Sequence, residues 1–328
     1  MKDQFDQFEA CWLCEGRHVK DLYAVNGFTI AKCTNCSLCF VRDIVDDEYL
    51  KEVYARMPTQ IGHRVYAEKS NEKNLQYAHA AVAHKIKTYF KFQDNLNILD
   101  LGCSNGSFLE QFPNWNVYGI ELEETTGRIA QGKHKNIFIG NMKDSIFEKE
   151  FFDCITINDA LDHSNDPDFV VERCYSLLKT DGIIVLKVHN IDCLLARLTG
   201  KKFYAVIPPI HLSYFNLKTL KILLKKHNFG YLNHFYNTQK LRLDNATMRA
   251  AASLPLLYPL QKIVENTFLG SIPIYKNFHD IITVIGVKRL SELPTLHKND
   301  KTVTLFGDGE RHSRAWTRSG EDCELPAI

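Results

Sequence analysis

Residues 98–110 read ILDLGCSNGSFLE. A mostly apolar run, Ile98 to Leu101, enters a loop of small residues, Gly102-Cys103-Ser104-Asn105-Gly106, and a helix-prone segment follows. The run reads as a buried strand; the small side chains let the backbone pass close to a ligand, and the next helix offers free N–H groups at its start. A dinucleotide fingerprint would need G-x-G-x-x-G and a Walker loop would need GK[ST]; the loop has neither. Alone, it is compatible with a tight turn in any α/β protein, so its surroundings carry the reading.

Outward from this loop, strand-like runs alternate with helix-like ones: LNILDL, WNVYGIEL, NIFIGN, FFDCITIN and GIIVLKV, all between residues 96 and 188. Before the last of them lies PDFVVERCYSLLKTDG, in which Pro167 opens a helix, Val170, Val171, Cys174, Leu177 and Leu178 form its apolar face, and Asp181-Gly182 ends it. Such alternation predicts a parallel, doubly wound sheet whose ligands sit at the carboxyl ends of its strands. GYLNHFYN and DIITVIGVKR can complete that sheet, with a helical insertion at about 237–279 between them. Upstream, Leu75, Ala78, Val82, Ile86 and Tyr89 form one helical stripe within a helical linker or lid at 46–93. The chain is thus expected to divide into a module at 1–45, this linker, a main domain at 94–290, and a poorly packed tail at 291–328.

The strand ends carry a consistent set of polar groups. Glu121 falls about 20 residues beyond the loop, where a carboxylate can accept hydrogen bonds from both ribose hydroxyls. Gly140-Asn141-Met142 ends the third run, and Asn158-Asp159-Ala160-Leu161-Asp162-His163 ends the fourth. Over residues 94–190 this succession resembles class I S-adenosylmethionine-dependent methyltransferases. The resemblance implies a Rossmann-like seven-stranded sheet and S-adenosylmethionine as cofactor. It puts Asp100 near the methionine moiety, the loop residues Gly102, Cys103, Ser104 and Gly106 against the cofactor, and Glu121 with Leu122 at the ribose. Asn141 and Met142 then flank the adenine, and Asn158 and Asp159 close the site. Two positions depart from the family. Ser104 stands where glycine is frequent and fits if its backbone angles are ordinary. Asn141 stands where aspartate is common, and its amide oxygen can still accept a bond from the adenine amino group.

Methyl transfer needs an in-line nucleophile and a group to take its proton. Three strand-end segments offer one. His163 follows Asp162 and resembles the Glu-His pair of small-molecule methyltransferases. His189-Asn190 follows the fifth run. In IPPIHLSYFNLKTLKILLKKHNFGY, residues 207–231, Pro208-Pro209 stiffens the approach to His211, Tyr214 and Phe215, and Asn216 caps a helix facing the core through Leu217, Leu220, Leu223 and Leu224. That segment is similar to one in bacterial methyltransferases of sugar, glycan and natural-product pathways. O-methylation would use His211 or His163 as base; C-methylation would add a donor such as Tyr214 to stabilise an enolate. Both remain open.

Cys11-x2-Cys14 and Cys33-x2-Cys36 have the spacing of a tetrahedral four-cysteine zinc site, a small zinc ribbon preceding the main sheet. A module this small cannot bury enough apolar surface to fold unaided, so a structural zinc is expected; Cys39 is left as a packed thiol. Module and core together resemble zinc-containing C-methyltransferases of deoxysugar and antibiotic pathways. A ribosomal RNA base methyltransferase would want a basic zinc module, whereas residues 1–50 carry nine acids against Lys2, Arg17, Lys20, Lys32 and Arg42. The net charge of +1 also disfavours nucleic acid. A non-catalytic, zinc-tethered interaction protein is the other alternative. The sequence shows no secretory signal and no apolar run long enough to span a bilayer, which points to the cytoplasm. The expected partner is a small-molecule acceptor, a sugar or nucleotide sugar; oligomeric state is not legible.

Overall fold

The computed structural model describes residues 5–57, 69–253 and 255–289, which lie within one compact unit; the expected tail at 291–328 falls outside the described residues. The strands are β1 (Val19–Val25), β2 (Phe28–Cys33), β3 (Cys39–Val41), β4 (Asn97–Leu101), β5 (Asn116–Glu121), β6 (Asn136–Ile139), β7 (Phe152–Asn158), β8 (Leu178–His189), β9 (Ser213–Tyr214), β10 (Phe229–Tyr236), β11 (Gln239–Arg242), β12 (Pro273–Lys276) and β13 (Ile281–Lys288). Seven of them form the main sheet in the order β10-β13-β8-β7-β4-β5-β6. Its pairs from β8 to β6 are parallel, and β13 runs antiparallel to both its neighbours. The chain order reverses between β4 and β7, so the carboxyl ends of these two strands flank the switch point where such sheets bind ligands.

Side-chain alternation along the strands builds a core on each face. Ile98, Cys154, Ile183, Val185 and Ile285 point to one side and pack with Val82 and Ile86 of the helix Lys69–Tyr89. Leu99, Leu101, Ile155, Ile157, Ile184 and Leu186 point to the other, against Val171 and Leu177 of the helix Pro167–Leu177 and Leu220, Leu223 and Leu224 of the helix Leu217–Lys226. Fully burying a side chain of this kind stabilises by about 1.5–3 kcal/mol, which is why the period-two pattern fixes strand register. Asn216 accepts from the Thr219 N–H and the Thr219 hydroxyl accepts from the Asn216 N–H, a reciprocal cap that starts the last of these helices where the sequence places it.

Three expectations need correction. The helix opened by Pro167 ends at Leu177, not at Asp181-Gly182. Leu178 is already extended and pairs with Phe152, and the chain turns at Asp181, whose φ is +61°, so β8 begins before the glycine. The insertion is not purely helical: β11 and β12 pair across the base of the helices Leu243–Ser253 and Tyr258–Glu265. The cysteine module extends beyond its expected boundary as well. Its sheet runs β1-β2-β3-β9, so its fourth strand comes from residues 213 and 214, immediately after His211.

Candidate active site

The glycine loop leaves β4 with Gly102 at φ +73° and Gly106 at φ +77°, conformations that favour glycine. A Cβ on Gly102 would stand 2.7 Å from the Ala160 Cβ, and one on Gly106 would stand 2.7 Å from the His134 ring. The loop is therefore pressed directly against the segment leaving β7. Ser104 does not have ordinary backbone angles: its φ is +48°, a left-handed conformation that costs a serine about 1–2 kcal/mol and accounts for glycine being common there. Its N–H donates to Glu121 Oε2 at 2.8 Å, while the Glu123 N–H donates to Oε1 at 2.9 Å. Burial raises the Glu121 pKa and these N–H bonds oppose the rise. Each oxygen keeps a further lone pair for a ligand hydroxyl.

Asp100 is almost wholly buried and accepts from the Thr156 hydroxyl at 2.6 Å and from the Asn158 amide at 3.0 Å. Burial nevertheless raises its pKa to about 7. Folded chains thus hold a proton that unfolded chains release near pH 4, so stability should fall as pH rises from about 4 to 7. Thermal midpoints of Asp100→Asn should lack this component, since an amide does not titrate.

The other cofactor candidates divide. Exposed Gly102 and Ser104 and half-buried Glu121, Leu122 and Asn158 border an accessible rim. Cys103 is buried, its thiol packed where a Cβ on Gly119 would lie, which leaves its backbone as the part that can face a ligand. Asn141 caps a short turn, its amide oxygen accepting from the Lys143 N–H at 3.0 Å, and Met142 is buried behind it. Asp159 forms an ion pair with the buried Lys187. A glycine cradle with a half-buried carboxylate at its lip suits a nucleoside with vicinal hydroxyls. Removing the carboxylate deletes charge-assisted hydrogen bonds worth about 1.5–3 kcal/mol each and also frees Ser104. Calorimetry should show S-adenosylmethionine binding weakened about 10–100-fold in Glu121→Ala.

All three histidine candidates converge. The His163 and His211 ring centroids lie 4.6 Å apart, and those of His189 and His211 4.9 Å. Asp162, 2% exposed, sits among them, with its Oδ2 3.1 Å from His189 Nδ1 and its Oδ1 3.9 Å from His163 Nε2. His211 Nδ1 lies 2.6 Å from the Ala205 carbonyl, so that nitrogen carries the proton and Nε2 presents a lone pair. Burial pushes the His211 pKa down to about 3 and lowers that of His163. His189 goes the other way: burial lowers it, but the Asp162 bond and the charges of Asp162 and Asp159 together more than offset that. Asp162 is raised by burial but held below the usual carboxylate range by the His189 bond and the surrounding imidazoles.

Tyr214 does not join this cluster as a donor. It is buried, and its hydroxyl donates to the His211 carbonyl at 3.0 Å, which braces that residue from below. Two neighbours had no signal in the sequence. Tyr204 stacks edge-on to His189 at 5.6 Å, and its hydroxyl donates at 2.7 Å to Asp280, which also receives Lys276 at 2.8 Å. These residues become visible only when β13 brings Asp280 beside the end of β8.

In the cysteine module, Cys11 Sγ lies 3.5 Å from Cys36 Sγ and Cys14 Sγ lies 3.6 Å from Cys33 Sγ, and all four sulfurs fall within 4.8 Å of one another. Tetrahedral zinc–thiolate bonds of about 2.3 Å give sulfur separations near these values. Cys39 is buried on β3, and burial pushes its thiol up to about 11, as suits a packed, unreactive group.

A family model described as a methyltransferase domain matches residues 74–234. Ubiquinone biosynthesis O-methyltransferases are among the curated relatives. That of Colwellia psychrerythraea is 28% identical over 126 residues, covering 35% of this chain and 51% of its own. That of Rhodopseudomonas palustris is 29% identical over 104 residues, covering 30% and 41%. The chain spans about half the length of the curated relatives it matches. Among solved structures, a SAM-dependent methyltransferase from Thermotoga maritima aligns over 73% of this chain and 100% of its own, at 15% identity and a TM-score of 0.49. No helix among the described residues is long and apolar enough to cross a membrane. Residues 74–234 thus match a methyltransferase domain.

Proposed function

We propose that this chain transfers a methyl group from S-adenosylmethionine to a small-molecule acceptor of the sugar or nucleotide-sugar class, and that a histidine of the Asp162 cluster takes the acceptor's proton. The convergence of His163, His189 and His211 around Asp162 carries this reading. The cluster leaves the carboxyl ends of β7 and β8, and Gly102 touches Ala160 only two residues before Asp162. Cofactor loop and histidines therefore share one wall.

Bound S-adenosylmethionine supplies a methyl on a positively charged sulfur. Glu121 and the glycine loop hold the nucleoside, while buried, neutral imidazole accepts the proton of the acceptor's hydroxyl or activated carbon. The new bond forms from that atom to the methyl carbon, and the old carbon–sulfur pair returns to sulfur. Tyr214 supports His211 by position, not by contact with the acceptor. Zn2+ held by Cys11, Cys14, Cys33 and Cys36 would be structural, since the four thiols are filled by one ion and leave no open position. An acid-rich module beside the site disfavours RNA.

Incubating the protein with methyl-labelled cofactor and pools of sugars, nucleotide sugars and phenols tests the reading, followed by locating the label on oxygen or carbon. Label on a sugar is the expected result. Label on oxygen of an acceptor that is not a sugar would establish the second reading, O-methylation of the kind the names of the curated relatives state. Absence of both transfer and saturable cofactor binding would refute the enzyme.

A further inference from the structure

We propose that Asp162, His189 and His211 together form a binding site for a divalent transition-metal ion, separate from the cysteine cluster. One ligand atom from each, a carboxylate oxygen and two imidazole nitrogens, lies within 4.8 Å of the others. His189 Nδ1 and Asp162 Oδ2, joined in this structure by a 3.1 Å hydrogen bond, stand at the separation of adjacent ligands around an ion at about 2.1 Å, about 3.0 Å apart at right angles, and the ion would replace the Nδ1 proton. His211 is prepared in the manner of a metal-bound imidazole: Nδ1 is fixed on the Ala205 carbonyl at 2.6 Å, so Nε2 offers its lone pair. A second, independent observation also points to a missing ligand. Asp162 Oδ1 is buried and lacks a hydrogen-bond partner, a costly state for a carboxylate that a cation would relieve.

The donor set selects the class of ion. Two imidazoles and one carboxylate suit Mn2+, Fe2+, Co2+ or Zn2+ and leave further positions open, whereas Mg2+ and Ca2+ prefer oxygen-only shells. The site adjoins the glycine loop through Ala160, two residues before Asp162. Its role rests on the methyl-transfer reading. The ion polarises the acceptor's hydroxyl, whose proton passes to His163, which is not one of the three ligands. The oxygen's electron pair then forms the bond to the methyl carbon, and the sulfur retains the pair of the bond that breaks.

Mn2+ is the probe of choice, because it favours oxygen and nitrogen donors and leaves four-thiolate sites to zinc. Titrating Mn2+ into the full zinc-loaded chain, with free Mn2+ followed by paramagnetic resonance, should give one site per chain. Affinity should fall at least about tenfold in His189→Ala and in the isosteric Asp162→Asn, and should persist in His163→Gln. No Mn2+ or Co2+ binding at millimolar concentration, or equal binding in wild type and both ligand variants, overturns the site. Methyl transfer that proceeds at full rate with no such binding removes the metal and leaves the reaction standing. Mn2+ binding lost in the ligand variants, without transfer to any acceptor, supports the site and removes the reaction.

Discussion

His211→Ala is expected to lower turnover by about 10²- to 10⁴-fold while S-adenosylmethionine still binds, the range spanned when a positioned proton-transfer group is lost. The side chain is 5% exposed, with Nδ1 fixed on Ala205, and its ring contacts both His163 and His189. The segment that carries it is held at both ends. The Leu212 N–H donates to the Asp162 carbonyl at 2.8 Å, and Tyr214 braces the His211 carbonyl. Cofactor affinity should survive, since Glu121, Ser104 and Gly102 belong to the β4 and β5 ends, where Ser104 and Glu121 hold each other in place. Steady-state rates paired with calorimetry separate the two effects. Near-normal turnover would remove His211 from the chemistry, both as proton acceptor and as metal ligand.

Removal of zinc from the cysteine module should have an effect of similar size, by a longer route. Structural zinc contributes roughly 10–16 kcal/mol of apparent folding free energy in small modules, more than a few short strands can replace. Cys33 ends β2 and Cys36 lies in the turn before β3, so a metal held there would set the pairing of these strands. β3 in turn pairs with β9, Cys39 opposite Tyr214 and Phe40 opposite Ser213. The Val41 N–H donates to the Leu212 carbonyl at 2.8 Å, and the Asn26 amide donates to the Pro208 carbonyl at 3.0 Å. Melting the module therefore releases the whole run that carries His211. Chelation, or Cys14→Ser with Cys33→Ser, should raise amide exchange across residues 207–214 and abolish turnover. Binding of S-adenosylmethionine should be retained. Unchanged exchange in that run after demonstrated zinc loss would show that the module does not position the histidine.

Local chemistry made much of this molecule legible. The β4 strand, the glycine loop and Glu121 are consecutive features whose meaning depends on nearby backbone, so short-range pattern suffices to find them. Ser104 shows the limit of that logic: its identity is plain, but its left-handed φ is imposed by contacts with Glu121 that lie outside the loop. Asn141 is a similar case, since the bond to the Lys143 N–H appears only once the turn is formed. The helix after Pro167 was read too long because Leu178 satisfies a helical period and a strand equally well, and pairing with Phe152 decides between them.

By itself the sequence determined the alternating sheet, the glycine loop, the carboxylate at the end of β5 and the two cysteine pairs, because each is encoded by residues close together in the chain. Only the tertiary structure decided that His163, His189 and His211 converge around Asp162, that the Tyr214 hydroxyl donates to the His211 carbonyl, and that the cysteine module shares a sheet with the histidine segment. These relations join residues from separate strand ends. Hydrophobic periodicity specifies which face of a strand is buried, but it carries no information on which distant loops the packed sheet brings within hydrogen-bonding distance.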